Sequence, residues 1–190
     1  MKTLTDIYQQ FLSTVKMIDG LPLLAMRFIL ALGFYYPAME KWNNMESTIA
    51  WFGNSEWGLG LPFPELQAYM AATTEFLGVW MLIFGIGTRI ISIPLIFTMI
   101  MAIFTVHIDH GWYTIGQSAL NPEIADRIGA AKDILRENGD YRWLTGQGSF
   151  VILQNGIETV ATYIVMLATL VAVGPGKLSV DYILGKKMLD

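Results

Sequence analysis

The chain has 190 residues, of which 54% are hydrophobic and 15% charged, with a net charge of −4 and no cysteine. The charged fraction is well below the roughly 25% of soluble domains, which favours a single membrane domain. The acidic balance and the lack of a basic patch argue against nucleic-acid binding. Disulfides and thiol redox chemistry are excluded, so a redox role would need a bound cofactor or a partner protein.

The chain opens with a mixed amphipathic stretch, Leu4 to Ile18, which is typical of a helix on a membrane surface. Four segments that are apolar on nearly every face follow, at about residues 21–39, 66–86, 89–107 and 149–173. Each approaches or exceeds the ~20 residues that a helix needs to cross about 30 Å of hydrocarbon. The sequence therefore predicts an all-α fold, a polytopic membrane four-helix bundle that forms one domain over residues 1–190.

The distribution of charge predicts the orientation of this bundle. An even number of spans places both tails on one side, and the tails carry five lysines: Lys2, Lys16, Lys177, Lys186 and Lys187. The two long loops, 40–65 and 108–148, are rich in carboxylates instead. By the positive-inside rule both termini are cytoplasmic, so in a bacterium the chain would be a multi-pass inner-membrane protein with two periplasmic loops.

The two outer loops contain further predicted elements. Residues 45–52 could form a short interfacial helix, and the tryptophans of loop 40–65 suit either an aromatic belt or a lid over a pocket. In loop 108–148 a helix is predicted from Pro122 to about Glu137, with Asn121 as its N-cap. This second loop is long enough to cover the outer mouth of the bundle or to meet a partner.

Three charged residues lie away from the ends of the predicted spans: Arg27, Glu75 and Glu158. A charge at that depth is costly unless it is paired or hydrated, so each marks a function or a contact between helices. An Arg27–Glu75 ion pair would tie spans one and two together. The alternative is that Glu75 or Glu158 handles protons near a bound ligand, which makes both carboxylates candidate catalytic groups.

Span four adds a polar pattern, because Gln154, Glu158 and Thr162 recur at intervals of four residues. On one continuous helix these side chains share a face, which must point into the bundle or towards a polar cavity. Hydrogen bonds between helices would account for the first arrangement, and a water-filled pocket for the second.

The only two histidines of the chain, His107 and His110, lie together at the outer end of span three, close to Asp109 and Trp112. On a continuing helix they are three residues apart and can converge on one metal ion or one edge of a cofactor. Asp109 or Glu40 could supply an oxygen ligand, or could accept a hydrogen bond from a histidine that binds the metal. The alternative is that both histidines are hydrogen-bonding residues of the membrane interface.

Several short motifs resemble the DoxX family of small bacterial membrane proteins. They are Arg27 with Gly33, Glu40-Lys41, Glu75-Phe-Leu-Gly78, Leu82-Ile-Phe-Gly85-Ile-Gly-Thr88-Arg89 and Gly174-Pro175-Gly176-Lys-Leu-Ser179-Val-Asp181. The resemblance covers roughly residues 22–182 and matches loop 108–148 poorly. The resemblance implies a four-helix membrane bundle. Some members of the family resemble quinone-reducing membrane subunits, others are linked to oxidative-stress complexes, and some subgroups are associated with copper-stress gene clusters.

Two functional hypotheses remain open. In the first, the chain is a quinone-interacting redox or stress-response subunit whose candidate cofactor-binding residues are His107, His110, Trp112 and Arg27. In the second, it is a non-enzymatic membrane anchor or a copper-stress metal-handling partner of a periplasmic protein, with His107 and His110 as metal ligands. The expected partners are the lipid bilayer and a membrane or periplasmic protein encoded in the same operon. Small residues of span two also permit close packing with a second copy.

Overall fold

The computed structural model describes residues 4–18 and 20–187, and it is helical with no strand in these ranges. The described residues form the α-helices α1 (Leu4–Met17), α2 (Gly20–Asn43), α3 (Met45–Gly53), α4 (Pro64–Phe84), α5 (Thr88–Ala102), α6 (Pro122–Asn138), α7 (Tyr141–Leu144), α8 (Glu158–Val173) and α9 (Val180–Lys187). A π-helical turn, Ile103–His107, and a 3-10 turn, Ile108–His110, follow α5. The predicted all-α class is confirmed for the described residues.

The chain divides into two compact units. The first unit comprises the residues up to Ile100 together with those from Tyr163 onward, and the second comprises Met101–Thr162. The division cuts α5 and α8, each of which contributes residues to both units.

The core of the first unit takes side chains from four helices. Leu30 and Phe34 of α2, Val79 and Leu82 of α4, Leu95 of α5, and Leu167 and Leu170 of α8 form one buried cluster. Close approach is possible because two glycines lie where helices meet. A Cβ on Gly33 would lie 2.0 Å from the Tyr163 hydroxyl of α8, and a Cβ on Gly78 would lie 2.9 Å from Leu95 of α5.

Helix α4 is bounded by local signals in its own sequence. Pro64 occupies the first helical turn, where its missing N–H costs nothing. The helix ends at Gly85, which adopts a left-handed conformation (φ 67°) and donates its N–H to the Met81 carbonyl. Helix α4 runs antiparallel to α2, because Arg27 near the start of α2 contacts Leu82, whereas Trp42 near its end packs on Tyr69.

The outer surfaces of these helices are also apolar. Ile29, Leu32, Ile90, Phe97 and Val165 are all exposed. A soluble helix would present polar residues on such a face, so this surface suits contact with lipid. Two helical segments, within Leu4–Asn43 and Thr88–His110, are long and apolar enough to cross a membrane.

The other two predicted spans do not meet that criterion. Helix α4 has 21 residues, but its polar side chains, Glu75 among them, lower its mean hydropathy. Helix α8 is apolar but has only 16 residues and begins at Glu158. The predicted helix over 149–173 is therefore wrong in its first nine residues, which are extended or turned and include a bridge from Leu153 to Ile115.

The predicted shorter helices agree well with the structure. The amphipathic start is α1, and its apolar residues Leu4, Ile7 and Phe11 are exposed. The short helix predicted at residues 45–52 is α3 (Met45–Gly53). In the second unit α6 begins at Pro122, and the side chain of Asn121 accepts the Glu123 N–H at 3.0 Å as an N-cap.

Candidate functional site

The most buried ion pair of the described residues joins α2 to α4 in the first unit. Lys41 Nζ lies 3.0 Å and 2.8 Å from the two carboxylate oxygens of Glu75. The Glu75 side chain is 4% exposed and that of Lys41 20%. Separating a buried carboxylate from a cation that binds both of its oxygens would leave a buried, unpaired charge, which is costly. This geometry therefore favours a role in holding the two helices together.

This pair replaces the predicted one between Arg27 and Glu75, which is wrong. The sequence pattern placed the end of span one at residue 39, whereas α2 continues to Asn43. Lys41 is therefore helical and can reach α4, while Arg27 lies fourteen residues away, about 21 Å along the axis. The neighbouring Glu40 is exposed and accepts a hydrogen bond from Asn44 at 2.8 Å.

Arg27 is fully buried, and its guanidinium binds main-chain oxygens. Nη1 donates to the Leu82 carbonyl at 3.1 Å, and Nη2 donates to the Leu178 carbonyl. Leu82 is in the last turn of α4, where helix carbonyls lack an intrahelical partner. Arg27 thus satisfies one acceptor at the end of α4, the Leu82 carbonyl, and one in the segment before α9, the Leu178 carbonyl.

Asp181, at the start of α9, connects the two glycine-rich motifs. Its carboxylate accepts the N–H groups of Gly87 at 2.7 Å and Thr88 at 2.9 Å, and its own N–H donates to the Gly85 carbonyl at 2.9 Å. The carboxylate also attracts the Arg27 guanidinium. The motifs around Gly85 and Asp181 therefore form one buried polar cluster with Arg27.

In the second unit, His107 ends the π-helical turn and is half-buried. Its Nδ1 lies 2.7 Å from the carbonyl oxygen of Asn155. A carbonyl only accepts, so Nδ1 carries the hydrogen, and in the neutral ring Nε2 is left as an acceptor. Asn155 has a positive φ of 59°, an uncommon conformation for a residue other than glycine. π-helical turns and such strained residues are both frequent at functional sites.

His110 is placed differently. Its side chain is exposed in the 3-10 turn, and its main-chain carbonyl accepts a hydrogen bond from Gln154 Nε2 at 3.0 Å. The side chain of Gln154 is thereby occupied outside α8, so the predicted shared face of Gln154, Glu158 and Thr162 is wrong. Within residues 4–18 and 20–187, no three His, Asp or Glu side chains group as metal ligands, and the two-histidine metal site stays a prediction.

Glu158 is the first residue of α8, and its hydrogen bonds attach the start of this helix to the segment around Trp112 and Thr114. Its Oε2 accepts the Thr114 N–H at 3.0 Å, and its own N–H donates to the Trp112 carbonyl at 2.8 Å. The hydroxyls of Thr114 and Thr159 add a hydrogen bond of 2.7 Å. Trp112 itself presents an exposed ring. The second unit thus contains the candidates His107, His110, Trp112 and Glu158, whereas Arg27 and Glu75 belong to the first.

Sequence reasoning missed three residues with a structural part in these clusters. Lys41 and Asp181 could have been identified from the sequence, because both lie within the motifs that resemble the DoxX family. Lys41 was assigned to a loop because the end of a span was set by hydropathy alone. Asn155 had no signal, because the sequence does not reveal that its carbonyl turns towards His107.

Comparison with known proteins supports the resemblance drawn from the motifs. Residues 22–108 match the DoxX family model. A Bacillus subtilis protein named "Putative oxidoreductase CatD" is 36% identical over 83 residues, which cover 44% of this chain and 58% of that protein. An uncharacterised Haemophilus influenzae protein is 25% identical over 172 residues, 88% of this chain and 86% of the relative. No solved structure matches the chain.

Proposed function

We propose that this chain, whose residues 22–108 match DoxX, is a multi-pass bacterial inner-membrane protein that binds a quinone or quinol headgroup for a redox partner. The observation that carries the proposal is the fixed tautomer of His107, whose Nδ1 is held by the Asn155 carbonyl. The name of the Bacillus subtilis relative supports an oxidoreductase context.

The chemistry of His107 favours the reduced form of the ligand. With Nδ1–H directed at the carbonyl, Nε2 of the neutral ring accepts a hydrogen bond, and a quinol hydroxyl can donate one. A quinone carbonyl has no hydrogen to donate. When bound, the ligand would supply the transfer of two electrons and two protons. His107 would orient the headgroup and accept a proton at Nε2.

Two other residues of the second unit, Glu158 and Trp112, could assist His107 in binding the headgroup. Glu158 uses Oε2 on the Thr114 N–H, which leaves Oε1 as a proton acceptor. The exposed ring of Trp112 offers an apolar face for a flat headgroup. The chain has no cysteine, so the electrons would pass to a cofactor-bearing partner.

Quinone binding is tested on the purified protein in lipid nanodiscs. We expect His107→Ala to weaken binding of a soluble quinol analogue at least about tenfold, because the hydrogen bond that Nε2 accepts from the ligand hydroxyl is lost. His110→Ala is the matched control and should bind within about twofold of wild type, since its side chain is exposed. Equal binding by wild type and His107→Ala, with both folded, would refute the quinone site.

The proposed topology has four spans with both termini in the cytoplasm. Its support is the apolar outer surface of the helices in the first unit. Because the chain lacks cysteine, Gly129→Cys in α6 and Gly185→Cys in α9 each introduce a single thiol, and a Cβ meets no atom within 4 Å at either position. We expect a membrane-impermeant thiol reagent to label position 129 in intact spheroplasts and position 185 only after lysis. The reverse pattern would invert the topology.

A metal-handling anchor is the second candidate. It is favoured by the exposure of α6, on which Glu123 pairs with Arg127 and Asp133 pairs with Arg136. Titration with Cu(II) separates it from the first candidate. Stoichiometric binding that disappears in His107→Ala/His110→Ala would support a metal site, and equal stoichiometry in both proteins would remove it.

A further inference from the structure

Two segments of the second unit pair as a short antiparallel ribbon around the bridge between Ile115 and Leu153. Main-chain hydrogen bonds of 2.9 Å flank this bridge on both sides, and they run from Gly116 N–H to the Ile152 carbonyl and from Gln154 N–H to the Thr114 carbonyl. Ile115 and Leu153 are therefore a non-hydrogen-bonded pair, whose own N–H and C=O groups point away from the opposite segment. These groups form the two edges of the ribbon.

The two edges differ in what occupies them. On one edge the Ile115 carbonyl accepts a hydrogen bond from Gln117 Nε2 at 3.2 Å. On the other edge the main-chain N–H and C=O of Leu153 bond to no residue that the structure describes, and neither do those of Val151. Val151 lies two residues before Leu153, so on an extended segment its main-chain groups face the same way. Residues 151–153 therefore present an open edge.

The side chains of this open edge are apolar and exposed. Val151 is 55% exposed and Leu153 is 68% exposed. The sequence between Arg142 and Glu158 contains no charged residue and no proline. Proteins usually protect an exposed edge with charged side chains or proline, because an unprotected edge pairs with other chains. The lack of such protection indicates an edge that another chain covers.

The free main-chain groups determine what kind of molecule can cover the edge. Acyl chains carry no hydrogen-bonding group, and an open N–H or C=O in hydrocarbon is costly. An extended peptide offers carbonyls and N–H groups at the same spacing, and it can add to the edge by β-augmentation. Its alternate side chains then lie beside Val151 and Leu153. An extended segment with apolar residues at alternate positions fits this edge best.

The charge of the second unit favours another protein over a second copy of this chain. Residues Met101–Thr162 contain seven carboxylates but only four lysines and arginines. Two copies that paired through this edge would bring like net charges together, whereas lysine or arginine beside the apolar residues of a partner would be attracted.

We propose that residues 151–153 bind an extended, apolar and basic segment of a partner protein by β-augmentation. The Val151 and Leu153 main chains exchange hydrogen bonds with that segment, and their side chains pack on its apolar residues. The edge uses none of the residues assigned to the quinol, so the two proposals can fail separately.

The test is fluorescence anisotropy with the full-length protein in lipid nanodiscs. The probe is a labelled synthetic peptide of about nine residues that alternates valine and threonine between terminal lysines. We expect saturable binding to wild type. The same peptide with every main-chain amide N-methylated should bind at least about tenfold more weakly, because it cannot donate to the edge.

Variants of the protein locate the binding to this edge. Val151→Lys/Leu153→Lys should weaken binding of the unmodified peptide at least about tenfold, because charged side chains block edge pairing. The matched control is Leu120→Lys/Ile134→Lys, which adds the same charge at exposed apolar positions of the same unit. It should bind within about twofold of wild type.

Hydrogen exchange gives a second readout, since the bound peptide should slow exchange of the Val151 and Leu153 amides. The proposal is overturned by a lack of saturable binding, by equal binding of the N-methylated peptide, or by equal binding to wild type and the folded Val151→Lys/Leu153→Lys variant. A wild-type dimer that this variant abolishes would assign the edge to a second copy and would overturn it as well.

Discussion

Lys41 and Glu75 neutralise each other side chain to side chain near the end of α2, whereas Arg27 near its start is held by two main-chain carbonyls. The two arrangements differ in whether a second substitution can restore the stability that the first one removes. Both members of the Lys41–Glu75 pair can be removed together, which leaves no buried charge behind. The carbonyls that Arg27 binds are part of the backbone, so no second substitution removes them.

The largest effect is expected at Arg27. Arg27→Met leaves the carbonyls of Leu82 and Leu178 and the Asp181 carboxylate without their cationic partner. We expect it to lower the free energy of unfolding by about 3–5 kcal/mol, measured by denaturant titration in detergent micelles. Arg142→Met, at an exposed site, should change it by less than about 0.5 kcal/mol. Recovery of stability in Arg27→Met/Asp181→Asn would contradict the main-chain account.

A smaller and repairable effect is expected at the ion pair. Lys41→Met leaves Glu75 buried without its cation, and we expect a loss of about 3 kcal/mol in the same assay. Lys41→Met/Glu75→Gln should recover to within about 1 kcal/mol of wild type, because neither charge remains. The matched control is Glu40→Gln, an exposed carboxylate next to Lys41. If the double variant is as unstable as the single one, the pair does not act as a unit.

Gly85 tests the Arg27 cluster through its backbone. Its φ of +67° disfavours any side chain, and an added Cβ would lie 2.2 Å from Arg27 Nη1 and 2.6 Å from Ser179 Cβ. We expect Gly85→Ala to cost about 2 kcal/mol of unfolding free energy. Gly129→Ala in the interior of α6 meets no atom within 4 Å and should be neutral or stabilising. Equal effects of the two substitutions would argue against the tight packing at Gly85.

The smallest effect on stability is expected at Asn121, an exposed side chain that caps the start of α6. Asn121→Ala removes the N-cap bond to the Glu123 N–H, and we expect a local loss of about 1 kcal/mol in α6, seen as faster amide hydrogen exchange of its first turn. Asn138→Ala removes an exposed bond to the Ile134 carbonyl at the other end and should have less effect. A larger effect from Asn138→Ala would reverse the comparison between the two ends.

The sequence predicts the bounds of a helix well where residues of that helix and its caps determine where it begins and ends. Asn121 and Pro122 were sufficient to place α6, and the apolar runs placed α2, α4 and α5 to within a few residues. Hydropathy failed where polar residues continue a helix, as at Lys41, or where apolar residues are extended, as at residues 149–157. Tertiary contacts decided both cases, through the bond to Glu75 and through the bonds from Gln154 and Glu158.

The candidate site was predictable as a set of residue types but not as a geometry. The sequence identified His107 and Glu158 because each is unusual in its surroundings. The tautomer of His107 depends on the left-handed conformation of Asn155, which is set by the loop as a whole. The residues around His107 in the sequence therefore do not predict that the Asn155 carbonyl points at its Nδ1.

The Lys41–Glu75 bond also bears on how the protein is made. Helix α4 carries a carboxylate in its middle and is less apolar than α5, so it is a poor substrate for insertion by itself. Its counter-ion is already present in the preceding long helix when α4 leaves the ribosome. In the four-span topology proposed above, we therefore expect α2 and α4 to enter the bilayer together as a hairpin, because the Lys41–Glu75 pair lowers the cost of inserting the carboxylate.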